Sequence, residues 1–160
     1  MRDPRKIVIA TPEPSAGQEL FERFSRQSYQ VATVERGGDV LLAVAEENIA
    51  LVVMDILIQE PSGTKTVEIL RKMRPRLPVI VLSGDTSVEM GRQILQYGVL
   101  YYFVKPLNLE ELDQIVRIAL EPNKHRKAEV EPQAPEAGIG GGEESAGVRN
   151  AHRLVEDYTW

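Results

Sequence analysis

Cysteine is absent from the chain. That excludes a disulfide framework and any thiolate metal site, whatever the fold. An excess of basic charge is absent too. The 19 Lys and Arg stand against 24 Asp and Glu, a formal net charge of −5, so no broad basic face is available to hold a phosphate backbone and nucleic acid is not an expected partner. No apolar stretch approaches the roughly 20 residues that cross a membrane, so no membrane partner is expected. The opening MRDPRKIVIATPEPS is too short in its apolar part for a signal peptide, and the expected location is cytoplasmic. Histidine is scarce: His125 and His152 have no partners at metal-ligand spacing. The glycine run in GIGGGEE has no strand before it and no Lys-Ser/Thr after it, so it is not a phosphate loop.

What is present is enough apolar residue, 42%, for a core of ordinary size. The composition breaks at Glu121-Pro122. Beyond it, EPNKHRKAEVEPQAPEAGIGGGEESAG carries too little apolar surface to offset the entropy of ordering it. The chain is therefore read as a folded domain over residues 1–121, a disordered linker over 122–147 and a short terminal segment over 148–160. In that last segment Val148, Ala151, Val155 and Tyr158 recur at helical spacing, with Leu154 alongside and the only Trp, Trp160, at the end. The segment is read as an amphipathic docking peptide, with Leu154, Tyr158 and Trp160 as its contacts; folding back on the domain or fraying are the alternatives.

Within residues 1–121 five apolar runs alternate with helical patterns. The runs are Ile7–Ala10, Val31–Val34, Leu51–Met54, Val79–Leu82 and Leu100–Val104. Each helix has its own start signal: Ser15 with Gln18, Gly37-Gly38-Asp39, Ser62-Gly63-Thr64, Thr86 with Glu89, and Asn108 with Glu111. Pro75 stops the third helix, and Gly98 suits a left-handed residue after the fourth. Strand-helix alternation predicts right-handed crossovers and a doubly wound parallel sheet. The expected fold is flavodoxin-like (βα)5 with strand order 2-1-3-4-5, its site at the carboxyl ends of the strands.

Asp55 stands out against this pattern. It follows Leu51-Val52-Val53-Met54, and a bare carboxylate inside such a strand is costly, so it belongs at the strand's exit where solvent or a partner meets it. Strand 4 ends in Ser83 and strand 5 in Lys105-Pro106. A carboxylate, a hydroxyl and an ammonium on three strand ends form a set able to hold a phosphoryl group. The same residues also suit a plainer reading, in which Lys105 neutralises Asp55 and Ser83 satisfies a loop amide.

In order and spacing, Asp55 with Gly63 eight residues on, Ser83, the Lys105-Pro106 pair and Tyr102 resemble the receiver domain of two-component response regulators, across residues 6–120. The resemblance implies Asp55 as phosphoacceptor, Ser83 and Lys105 as phosphate contacts, Tyr102 as the switch aromatic and a cis Lys105-Pro106 bond. It also implies two acidic residues after strand 1 that help the aspartate hold a divalent cation. Here Thr11 and Pro12 occupy those positions, leaving Asp55 and, one residue late, Glu13 as the only acidic candidates.

Two function classes follow. The first is an atypical, stand-alone receiver, a signalling interaction module that is not an enzyme, has no cofactor and lacks ordinary Mg²⁺-dependent phosphorylation. The second is a phosphoacceptor that uses Mg²⁺ and takes phosphate from a histidine kinase at Asp55. A small-ligand-binding flavodoxin-like protein is more distant, since no glycine-rich cradle follows strand 1. The expected partner is a protein, a histidine kinase or a signalling complex, with homodimerisation through helix 4, strand 5 and helix 5 as a further expectation.

Overall fold

The structure is a computed structural model and describes residues 5–121. The expected linker and the docking residues Leu154, Tyr158 and Trp160 lie outside the described residues. Ten elements alternate without exception: β1 Lys6–Ala10, α1 Pro14–Arg26, β2 Gln30–Val34, α2 Gly37–Glu46, β3 Ile49–Asp55, α3 Gly63–Met73, β4 Val79–Ser83, α4 Val88–Leu95, β5 Tyr101–Val104 and α5 Leu109–Leu120. The strands form one sheet in the order β2-β1-β3-β4-β5, the expected flavodoxin-like arrangement. No described helix is long and apolar enough to cross a membrane.

Burial explains why the runs are continuous rather than alternating. Ile7, Val8 and Ile9 of β1, Leu51 to Met54 of β3 and Val79 to Val81 of β4 are all buried, because a central parallel strand is covered on both faces. Each such side chain contributes about 1.5–3 kcal/mol on leaving water. The edge strand β2 is only partly covered, and its sequence, Gln-Val-Ala-Thr-Val, is correspondingly less apolar.

Two compact units divide after Leu82. In the first, β3 pairs in parallel with β1 and β4, which brings Asp55 opposite Leu82. Leu20 and Phe24 of α1 are buried, α2 packs against α3, and the Arg74 guanidinium ties the end of α3 to the start of β3 by donating to the Ile49 carbonyl at 3.1 Å. In the second, Tyr101 and Phe103 stack at 4.3 Å between ring centroids, and the Tyr101 hydroxyl donates to Glu111 of α5. Burial, the hydrogen bond to Glu111 and its charge together push the Tyr101 phenol well above its ordinary pKa.

Three helix starts behave as the sequence suggests and two differ. Ser62 Oγ accepts from Lys65 N–H at 3.2 Å and Asn108 Oδ1 from Glu111 N–H at 3.0 Å, while α2 begins at Gly37. Ser15 does not cap α1. The helix begins one residue earlier at Pro14, whose missing N–H and fixed φ suit a first turn, and Gln18 donates along the helix to Glu22 instead. The cap of α4 is Ser87 rather than Thr86; its hydroxyl accepts from Met90 N–H at 3.2 Å. Gly98 follows α4 at φ +73°, as expected.

Candidate functional site

Asp55 is the last residue of β3 and is only 3% exposed. The strand ends at this carboxylate, as expected, and the side chain meets a backbone partner there rather than open solvent. Its Oδ1 accepts from Leu57 N–H at 2.8 Å, a charge-assisted bond that helps make such burial affordable. Leu57 itself is exposed, whereas Ile58 beyond it is fully buried. The loop is thus pinned on both sides of Leu57.

At the end of β1, Thr11 is buried while Pro12 and Glu13 are exposed. The Thr11 hydroxyl accepts from Glu13 N–H at 3.2 Å. Its methyl faces α1, where a Cβ on Gly17 would stand 3.2 Å from Thr11 Cγ2. The side chain is therefore committed to packing and to the loop. A hard divalent cation needs several oxygen donors, preferably carboxylates. This donor set does not fit one: Thr11 offers a neutral hydroxyl in place of a carboxylate, Pro12 has no side-chain oxygen, and among the described residues no three of His, Asp and Glu are grouped as metal ligands.

The second unit holds Ser83, Tyr102 and Lys105. Lys105 N–H donates to the Ser83 carbonyl at 2.8 Å, and the Lys105-Pro106 bond is cis. The Ser83 hydroxyl accepts from Asp85 N–H at 3.0 Å, so it does satisfy a loop amide. Asp85 then carries the loop onward, its Oδ1 accepting from Ser87 N–H at 2.7 Å. The Ser87 backbone N–H, and then its hydroxyl, hold the Asp85 carboxyl below its ordinary range. Tyr102 is 9% exposed, and its hydroxyl donates to the Asp85 carbonyl at 3.3 Å. Burial raises the Tyr102 phenol; a hydrogen bond with Ser83 works against that rise, and the charge of Asp85 adds to it.

Gly91 explains how the ring fits. It is buried inside α4, where a Cβ would stand 3.4 Å from Tyr102 Cε2. A helix-interior glycine costs up to about 1 kcal/mol against alanine. Sequence reasoning passed over Gly91 and Asp85. The signals for them were a glycine within an otherwise helical pattern and the Asp-x-Ser spacing of 85–87.

The family model of the response regulator receiver domain matches residues 7–117. The chain belongs to that family. Among its curated relatives, the transcriptional regulatory protein ZraR of Salmonella typhimurium is 31% identical over 112 residues, covering 70% of this chain and 25% of ZraR. The regulatory protein AtoC of Escherichia coli is 30% identical over 122 residues, covering 76% of this chain and 26% of AtoC. The receiver thus spans about a quarter of the length of these relatives. Among solved structures, the receiver domain of the Francisella response regulator 1452 superposes with a TM-score of 0.68 at 26% identity, covering 73% of this chain and 96% of that one. The chemotaxis response regulator CheY4 of Vibrio cholerae matches in fold, with a TM-score of 0.67 at 21% identity over 74% of this chain and all of that one.

Proposed function

We propose that this receiver is a signalling interaction module whose recognition surface does not depend on ordinary Mg²⁺-dependent phosphorylation. The observation that carries the reading is the donor set after β1, where Thr11 has a neutral hydroxyl that accepts from Glu13 N–H and Pro12 has no side-chain oxygen. Phosphoryl transfer to a buried carboxylate relies on a cation for charge stabilisation, and this set supplies one poorly. A second reading, transfer from a histidine kinase to Asp55, is favoured by the retained Asp55, Ser83 and Lys105 at the carboxyl ends of β3, β4 and β5.

A Mg²⁺ titration followed by the amide resonances of Leu57 and Glu13 separates the two. No saturable shift below about 10 mM, and no mass increment on incubation with acetyl phosphate, is the expected outcome. Submillimolar binding abolished by Asp55→Asn, with a phosphoryl adduct on Asp55, would overturn it. Installing the acids with Thr11→Asp and Pro12→Asp should create the site and, through carboxylate repulsion, destabilise the metal-free protein.

The partner is a protein. Within the second unit, Val88 of α4 and Val104 of β5 are exposed apolar residues, consistent with recognition or homodimerisation through α4, β5 and α5. Leu154, Tyr158 and Trp160 are proposed to add contacts from the terminal segment. Deleting residues 148–160 should weaken partner binding and leave the core's thermal midpoint unchanged within about 1 °C; an unaltered affinity would remove the segment from the reading.

A further inference from the structure

Helices α3, α4 and α5 cap themselves with Ser62, Ser87 and Asn108. Helix α2 does not: its cap position is Arg36, whose side chain accepts no hydrogen bond from the helix. The first N–H groups of a helix need acceptors from somewhere. Those of Gly37 and Gly38 find them in the loop after Asp55, donating to the Gln59 carbonyl at 2.8 Å and the Glu60 carbonyl at 2.7 Å. Arg36 also pairs with Gln59 as an isolated parallel bridge, and its guanidinium lies 3.7 Å from the Glu60 carboxylate. The approach is close. A Cβ on Gly37 would stand 2.3 Å from Thr66 Oγ1 and 2.6 Å from the Pro61 carbonyl oxygen.

The same loop segment is tied to Asp55 at its other end. Leu57 N–H donates to Asp55 Oδ1, and the Leu57 carbonyl accepts from Gln59 Nε2 at 3.2 Å. Gln59 therefore joins the two halves, its side chain on Leu57 and its backbone on Gly37. A hydrogen-bonded path runs from the Asp55 carboxylate through Leu57 and Gln59 to the first turn of α2.

We propose that α2 reports the state of Asp55, with the loop as its cap and Gln59 as the positioning residue. Whatever draws Asp55 Oδ1 away from Leu57, whether a ligand or a covalent group, loosens the first turn of α2. Leu42 of that helix is 55% exposed, so the change emerges on a helix that offers an apolar side chain to solvent. This coupling is independent of whether Mg²⁺ binds, and its test succeeds or fails separately from the metal titration.

The test is residue-resolved amide hydrogen exchange on the full chain. Asp55→Ala removes the acceptor, and exchange should rise about tenfold at Leu57 and about threefold or more at Gly37 and Gly38. Asp55→Asn keeps a side-chain oxygen and should stay within about twofold of wild type, showing that the bond rather than the charge is transmitted. Gln59→Met keeps the length without the donor and should accelerate Gly37 and Gly38 alone by about threefold; it tests the proposal even if Asp55→Ala does not fold. Met90 and Glu111, capped by Ser87 and Asn108, serve as controls and should not change. Unchanged exchange at Gly37 and Gly38 in Gln59→Met, or equal acceleration at the two controls, overturns the coupling.

Discussion

Among the described glycines, the one with least room for a side chain is Gly63, the first residue of α3. A Cβ there would stand 2.2 Å from the Ile56 carbonyl oxygen, 2.8 Å from its carbon and 2.9 Å from the Ile56 Cα. All three are backbone atoms, so no side chain can swing aside. Ile56 itself is held, its N–H donating to the Leu82 carbonyl at 2.9 Å, while Ile58 N–H donates to the Asp55 carbonyl at 3.1 Å. Restoring an ordinary C···O separation of roughly 3.3 Å requires a backbone shift of about 1 Å. Overpacking of this kind costs about 1–3 kcal/mol or more. Alanine's helical preference returns at most about 1 kcal/mol of that. Gly63→Ala should therefore destabilise by about 2 kcal/mol, lowering the thermal midpoint on the order of 10 °C for a domain of this size. Urea unfolding followed by far-UV circular dichroism measures it. Gly84→Ala is the control, since nothing lies within 4 Å of a Cβ there, and should be neutral within about 0.5 kcal/mol. A Gly63→Ala protein as stable as wild type, or a Gly84→Ala protein equally damaged, would refute the steric argument.

Two further perturbations probe the second unit. Tyr101→Phe removes the donor to Glu111 and should cost about 1–2 kcal/mol at neutral pH. Because the folded-state phenol is raised above its ordinary value of 10.0, its contribution is fully present below pH 10 and fades as pH climbs through the raised value. The gap between wild type and Tyr101→Phe should narrow in alkaline urea melts, and a gap that stayed constant above pH 10 would contradict it. Gly91→Leu puts a side chain where the Tyr102 ring lies, so Tyr102 should become accessible to nitration by tetranitromethane; an unreactive Tyr102 in that variant would show that the ring does not depend on the space at Gly91.

The strands were legible because their code is short-range and redundant. Val79-Ile80-Val81-Leu82 is buried throughout, and such a run admits few readings once helical patterns flank it. The caps were less legible. A serine or threonine near a helix start is a signal, but which residue caps is decided by the chain around it. Asp85 binds Ser87 N–H and so helps set the register that makes Ser87, not Thr86, the cap. At α1, Pro14 determines the first turn and leaves Ser15 inside the helix.

The candidate site divides along the same line. The places of Asp55 and Ser83 as the last residues of β3 and β4, and of Lys105 just after β5, were legible because strand ends are countable. The commitments of their neighbours were not. That the Thr11 hydroxyl would accept from Glu13 N–H, or that Asp55 would accept from Leu57 N–H, depends on loop paths that no periodicity encodes. Gln59 is the sharpest instance. In sequence it is one polar residue among Leu57-Ile58-Gln59-Glu60, with no partner at helical or strand spacing. Its backbone partner is Gly37, 22 residues earlier, and the two meet only because β1 lies between β2 and β3 in the sheet and α2 packs against α3. Substituting Gln59 leaves every strand and helix signal intact. An effect of that substitution on the α2 amides must therefore travel through the loop, which is why exchange at Gly37 and Gly38 isolates the coupling from the stability of the fold.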